Sequence, residues 1–303
     1  MSQITTYDQV GLAEDVDDVI SNLSPTSTPF ISSIGEETTK ARVYEWQEDA
    51  LADPADNARV EGFDAASGSV TPTVMRTNTV QIFEKTVKVS ETADAVQTHG
   101  RAKESSYQAA KKGKEIKRDL ERACVGVLQA AVTGDAATPR RFASALSQIA
   151  ASVTRIVDGD AGSAGNQPRA LQEGDILGLH QTLYEKGSED VTTLMIKPAD
   201  SLIVSGFAAA SGRTRDIAAQ RKVVNAVDLY ISPFGELKVV INRQLKSTEA
   251  LILDPSMWKL MKLRGWKMTP LAKTGDNNQW MLVGEYGLKH RNQEATGRIS
   301  NLA

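Results

Sequence analysis

The chain has little of several things, and each scarcity removes a class of function. Its 303 residues include a single cysteine, Cys124. No intrachain disulfide and no multi-cysteine metal site can be built from it. Cys124 lies among Leu120, Val127 and Leu128 in a helical pattern, which predicts a small buried hydrophobe without a base partner. The three histidines, His99, His180 and His290, have no second histidine or cysteine at ligand spacing, so no metal site is expected. No run approaches the ~18 apolar residues of a spanning helix, and no membrane partner is expected. Met1–Gly11 is polar and lacks a basic region followed by an apolar stretch, so no secretion signal is expected. The formal net charge of −3 leaves no global basic footprint for nucleic acid. With 41% hydrophobic and 24% charged residues, the chain suits one large or two modest folded domains with an ample core.

Catalytic motifs are thin as well. Gly159, Gly162 and Gly165 are not followed by Lys-Ser/Thr and do not form a phosphate loop. Ser256-Met257-Trp258-Lys259 matches S-x-x-K, and Lys273-Thr274-Gly275 matches the K-T-G of penicillin-recognising acyl enzymes. The third element of that set is missing, and the two motifs lie too close together for an intervening domain. A serine acyl enzyme using Ser256 and Lys259 is therefore a minor alternative. No catalytic residue, cofactor or metal ligand is assigned.

What is present is a long excursion at residues 36–90. It leaves through Arg42-Val43-Tyr44-Glu45-Trp46-Gln47 and returns through a strand-like run, Thr79 to Ser90. The polar, turn-rich tip between them carries few large apolar residues: Leu51, Val60, Phe63, Val70, Val74 and Met75. A two-stranded ribbon is marginal in water unless it lies on something. A ribbon with so little core of its own points to docking on another surface, and so to assembly rather than catalysis. Val80 and Ile82 occupy even positions of the return strand, Val87 and Val89 odd ones. Side chains alternate faces along a strand, so a change of face is expected between Ile82 and Val87.

The rest reads as alternating elements. Leu12, Val16, Val19, Ile20 and Leu23 predict a short amphipathic helix, packed on its own domain or reaching a neighbour. It ends at Ser24-Pro25, since the residue before proline is pushed from helical geometry. Residues 101–133 predict one long helix with an inner stripe of Ile116, Leu120, Ala123, Val127 and Ala131, stopped by Gly134. A helix is expected at Asp175–Lys186, a strand at Thr192–Lys197 and a helix opened by Pro198. A hairpin is expected at Val227–Ser232 and Glu236–Arg243, and further strands at 250–254, 258–272 and 279–290. The fold class is α+β on a mostly antiparallel sheet.

This order of parts is an arm ending in Ser24-Pro25-Thr26-Ser27-Thr28-Pro29-Phe30-Ile31, an extended ribbon, a long helix, a loop, an α+β module and a final strand. It resembles the major capsid proteins of tailed bacteriophages with the Hong Kong 97 fold. The wording Val80-Gln81-Ile82-Phe83-Glu84-Lys85-Thr86-Val87-Lys88-Val89-Ser90-Glu91-Thr92-Ala93 resembles the subfamily of Salasvirus- and SU-type podophages and siphophages. The resemblance implies an N-terminal arm (1–35), an extended loop (36–92), a peripheral domain (93–171) with spine helix 101–133, an axial domain (172–272) and a C-terminal return to the peripheral domain (273–303). It implies a self-assembling icosahedral shell of hexamers and pentamers, assembled in the bacterial host cytoplasm and carried in the virion. Its partners would be further copies, a portal, scaffold or decoration proteins, and packaged double-stranded DNA by non-specific proximity. A cellular nanocompartment shell of the same fold is the alternative.

The candidate subunit-interface residues are Phe30 on the arm and Asp53, Asp56, Arg59, Glu61, Phe63 and Arg76 on the loop. Some relatives join subunits by an isopeptide bond from a loop lysine to an asparagine. Here no lysine occurs from Ala41 to Glu84. Noncovalent fastening is therefore expected, through charge pairs worth ~0–1 kcal/mol each where exposed.

Overall fold

The computed structural model describes residues 28–49, 51–52, 54–64, 68, 70–96, 103–158, 167–188, 190–210 and 229–303. The helix expected at 12–23, His99 and Asp53 lie outside them. The chain enters through a short helix, α1 (Pro29–Ser33), whose proline stands in the first turn where no backbone donor is lost. Strand β1 (Gly35–Thr38) follows, then β2 (Val43–Glu48) and β3 (Val74–Thr79), the two sides of the ribbon. The return continues as β4 (Gln81–Ser90), capped into α2 (Glu91–Ala95) by the Ser90 hydroxyl, which accepts from the Ala93 N–H.

Besides the two-stranded ribbon β2-β3, two larger sheets organise the described residues, in keeping with an α+β fold. The first has the order β1-β10-β11-β4, with β10 (Trp258–Pro270) and β11 (Asn277–His290) forming a long antiparallel hairpin. The second has the order β5-β12-β9-β6-β8-β7, from β5 (Thr154–Ile156), β6 (Thr193–Ile196), β7 (Leu229–Ser232), β8 (Gly235–Ile241), β9 (Glu249–Leu253) and β12 (Thr296–Ser300). Strands β6 and β9 are buried throughout, as mostly apolar runs in a covered sheet should be. Helix α5 (Glu173–Glu185) covers this sheet, with Leu179 set against Gly297 of β12. Helix α6 (Pro198–Ala210) follows β6 and opens at Pro198, as expected.

The boundary expected at 272/273 lies between two paired strands. It falls within the β10–β11 hairpin, whose strands pair from Trp258↔His290 to Pro270↔Trp280. The last strand, β12, then joins β9 in the other sheet. Hydrogen bonding across the hairpin binds 258–290 into one unit, and the chain end returns to the sheet that holds α5.

The long helix is also shorter than its sequence suggests. Helix α3 (Glu104–Glu121) passes into one π-helical turn, Arg122–Gly126, and Val127 is extended. Residues 128–131 are good helix formers, but the backbone of this segment is paired elsewhere. Val132 exchanges hydrogen bonds with Arg141, and the Gln129 carbonyl accepts from the Ser144 N–H. The Val125 carbonyl is taken by the Lys246 N–H. Ile116, Leu120 and Ala123 are buried as expected, whereas Ala131 is exposed. Gly134, at φ 70, turns the chain in the loop that follows rather than ending the helix. Helix α4 (Ala145–Gln148) leads on to β5.

The main core joins both sheets around Trp258, Phe30, Phe142, Ile116, Leu146, Ile176 and Leu179, each under 2% or at 2% exposure. Burying such side chains contributes roughly 1.5–3 kcal/mol each.

Candidate assembly surface

The ribbon is pinned at its root and bare at its tip. At the root, the Tyr44 hydroxyl donates to the Leu288 carbonyl at 2.9 Å. Burial pushes the Tyr44 phenol well above its ordinary pKa. Asn78, 2% exposed, donates to the same carbonyl at 2.6 Å and accepts the Ala143 and Thr79 N–H groups at 2.8 Å each. Gly287 makes the approach possible: a Cβ there would lie 2.5 Å from the Tyr44 oxygen and 2.9 Å from the Thr79 carbonyl. Thr79 and Val80 donate to the Arg42 carbonyl, each at 3.0 Å, and close the ribbon's base. The aromatic side chains continue outward, with Trp46 stacked on Tyr44 at 6.0 Å. Asn78 carries much of this anchorage, and sequence reading missed it. A polar residue between strand-forming threonines was the only signal.

The return strand changes partner at Val80. Below it, β3 pairs with β2 from Val43↔Thr79 to Glu48↔Val74. Beyond it, β4 pairs with β11 from Tyr286↔Gln81 to Asn277↔Ser90. The division into an outer and an inner half is therefore present, but the change of face expected between Ile82 and Val87 is not. Phe83, Val87 and Val89 share the buried face of an unbroken β4, and Ile82 points outward at 49% exposure. The break in alternation is at Thr79-Val80, both buried, where the strand leaves the ribbon and enters the sheet. Lys85 of β4 pairs with Asp119 of α3 at 2.8 Å, so the spine helix is tied to the strand that continues the ribbon.

The tip gathers most of the expected interface residues. Asp56, Arg59, Glu61 and Phe63 are all exposed there. The Asp56 carboxylate accepts the Ala58 N–H at 3.0 Å, and Arg59 donates to the Ala58 carbonyl at 3.1 Å. Gly62 at φ 81 turns the chain, and the Phe63 N–H donates to the Val60 carbonyl. Leu51 is 99% exposed, Val70 92% and Val60 77%. Arg76 is different, because its Nε donates to Glu48 at 2.9 Å across the ribbon and braces its own subunit.

Phe30 is not an interface residue but a core one. It is fully buried, edge-on to Trp258 at 5.7 Å. Its N–H and that of Ile31 donate to the two carboxylate oxygens of Glu121 at 2.8 and 3.0 Å. Asn242, from the end of β8, donates to the same carboxylate at 2.7 Å. Burial pushes the Glu121 carboxyl above its usual pKa despite these donors. The arm enters the subunit at a fixed point between spine helix and second sheet.

The acyl-enzyme motif is occupied by turn chemistry. The Ser256 hydroxyl and N–H both donate to Asp254, at 2.8 Å each, opening a single 3₁₀ turn. The Lys259 side chain lies along Gly35 of β1, and Lys273 pairs with Glu91. Both motif lysines are thus engaged with groups other than Ser256. Among the described residues no group of histidine, cysteine, aspartate and glutamate could hold a metal ion, and no helix is long and apolar enough to cross a membrane.

Chains of solved capsids share this arrangement of elements at the level of the fold. A subunit of the Cyanophage A-1(L) capsid superimposes with a TM-score of 0.67 at 12% identity, covering 98% of each chain. A chain of Microbacterium phage Oxtober96 gives 0.66 at 16% identity, over 95% of this chain and 96% of that one. The SrpI encapsulin of Synechococcus elongatus gives 0.64 at 8% identity over 96% and 92%, a likeness of fold alone. The fold is that of the Hong Kong 97-type shell subunit. Within that class, the chain belongs to the SU10 major capsid protein family, whose model matches residues 2–303. It is 33% identical over 340 aligned positions to the major capsid protein of Escherichia phage Phieco32, spanning 98% of this chain and 96% of the relative. It is accordingly a tailed-phage major capsid protein that builds a shell from copies of itself. The nanocompartment alternative has only the fold-level likeness behind it.

Proposed function

We propose that the ribbon tip of each subunit lies across a neighbouring subunit and fastens the shell without a covalent bond. The observation that carries this reading is the contrast within the ribbon. Its root is locked to β11 through Tyr44, Asn78 and Gly287, while Leu51, Val60, Phe63 and Val70 at its tip stand in water. Apolar side chains held out on a braced arm gain free energy when a neighbour covers them. Asp56, Arg59 and Glu61 would align the contact, and the absence of lysine from 41 to 84 removes the loop amine an isopeptide bond would need. The β1-β10-β11-β4 sheet with α3 serves as the peripheral part, and the six-stranded sheet with α5 and α6 as the axial part. The shell forms in the host cytoplasm on a portal and encloses double-stranded DNA.

Electron microscopy of the expressed protein tests this directly. Wild-type protein forms capsomers or shells that run as a single monomer band on a denaturing gel. A chain in which 51–72 is replaced by a short Gly/Ser turn stays folded and fails to close shells. Covalent ladders, or normal shells without the tip, would overturn the proposal.

A further inference from the structure

Helix α3 carries a charge pattern that the proposed ribbon contact does not involve. Lys111, Lys114, Arg118 and Arg122 recur at intervals of three, four and four, which stacks them on one side of the helix. Lys117 flanks this row. The buried stripe of Ile116, Leu120 and Ala123 faces the other way, into the core. Lys111, Lys114, Lys117 and Arg122 are exposed, and none makes an ion pair among the described residues.

The acidic residues of the helix do not cancel this charge. Glu115 is paired with Lys112 at 2.7 Å, although it also feels Lys111. Asp119 is paired with Lys85 at 2.8 Å. Glu104, at the first turn, accepts from Gln108 at 2.7 Å. Glu121 is turned into the core, where Phe30, Ile31 and Asn242 surround it. What remains in water is a positive row on a chain whose net charge is −3.

We infer that the exposed cations of α3 and the first residue of its π-helical turn (Lys111, Lys114, Lys117 and Arg122) form a phosphate-contacting surface for double-stranded DNA. From Lys111 to Arg122 the helix rises about 16 Å. A duplex segment of that length carries roughly ten phosphate charges. Lys111, Lys114 and Arg122 share one side with Lys117 on its flank, all long, flexible cations, which suits a sequence-independent contact with a backbone. A protein partner fits less well. Ala110 and Gly113 beside the row are small, and Tyr107, one turn before Lys111, is half-buried, so among the described residues no fully exposed large apolar side chain supplies the dry centre of a protein interface. The inference rests on the reading of the chain as a shell around double-stranded DNA and gives that DNA a defined place on the subunit.

The test uses full-length protein before shell closure, with a fluorescein-labelled mixed-sequence duplex of about 30 base pairs. Binding anisotropy is measured across a salt series. Wild-type protein binds with a steep salt dependence. The variant Lys111→Gln/Lys114→Gln/Lys117→Gln/Arg122→Gln lowers the slope of log K against log salt by about 3 to 4, at ~0.9 per phosphate contact. The charge-keeping variant Lys111→Arg/Lys114→Arg/Lys117→Arg retains the slope. Circular dichroism and electron microscopy check that each variant folds and closes shells of wild-type diameter. An unchanged slope in the glutamine variant overturns the inference. So does loss of shell closure with an unchanged slope, which assigns the face to a neighbouring copy. Failure of the wild-type chain to form capsomers under any condition strikes instead at the shell reading.

Discussion

The Phe30 N–H donates to the buried Glu121 carboxylate at 2.8 Å, joining residues 91 positions apart. With Ile31 and Asn242 on the same carboxylate, one side chain holds the arm, the spine helix and the second sheet together. The contact lies where α3 passes into its π-helical turn, an irregularity that often marks a constrained site.

Glu121→Ala leaves three buried donors without an acceptor and is expected to lower stability by about 2–4 kcal/mol. Denaturant unfolding of the subunit measures this, and limited proteolysis near residue 28 reports release of the arm. The pH dependence has a definite sign. Burial raises the carboxyl's folded pKa, so the folded state holds its proton to higher pH than the unfolded chain does. Stability associated with this group is full at low pH and falls as pH rises through the folded pKa. Glu121→Gln is expected to abolish that component of the slope.

His290 gives the opposite slope. It is fully buried and stacked on Trp258 at 3.8 Å and 4°, and among the described residues neither ring nitrogen has a hydrogen-bond partner. Burial lowers its pKa from 6.5 to about 3. The unfolded chain therefore binds a proton that the folded state refuses, and stability falls as pH drops from 6.5 towards 3. His290→Phe keeps the stack and removes the unpaired nitrogens. Thermal melts across this range should show a flatter acid limb for the variant, with neutral-pH stability unchanged or up to ~1 kcal/mol higher. An identical acid limb would show that other groups set it.

Gly287→Ala tests the ribbon root. The added methyl meets the Tyr44 oxygen and the Thr79 carbonyl, and backbone cannot move aside cheaply. The cost is expected at about 1–3 kcal/mol, with the ribbon displaced from β11. Shell yield by electron microscopy should fall more than subunit stability does, because the tip's position is the leveraged quantity.

Asp175 tests the second sheet's cover. It is 1% exposed and takes Arg169 through both oxygens, at 2.7 and 2.8 Å, with Arg155 at 3.0 Å. Burial works to raise its pKa, but the two guanidiniums and the Gln172 N–H prevail and hold it below the usual range. Its stabilisation is present above the unfolded pKa and is lost as pH falls through the folded one. Asp175→Asn strands the arginines and should cost about 3 kcal/mol in urea unfolding.

Local signals carried most of the elements. The apolar spacing of Ile176, Leu179, His180 and Leu183 marked α5, Pro198 marked the start of α6, and Pro233-Phe234-Gly235 marked the β7–β8 turn. These features depend on a residue and its near neighbours in the chain. The poverty of apolar residues at the ribbon tip is equally local, so its exposure could be read in advance. Phe30 was misassigned because a phenylalanine on an extended arm reads the same whether it finds a core or a neighbour. Its partners, Trp258 and Glu121, lie far along the chain.

By itself, then, the sequence determined the α+β class, the projecting ribbon, the lack of loop lysine and the element order shared with shell subunits. Tertiary structure alone decided where the spine helix stops, because the hydrogen bonds that end it come from Arg141, Ser144 and Lys246. It alone decided that β4 leaves the ribbon at Val80, since β11 competes there for the strand's backbone. It alone made Asn78 and Glu121 anchors, because a buried polar side chain takes its role from the distant groups it must satisfy.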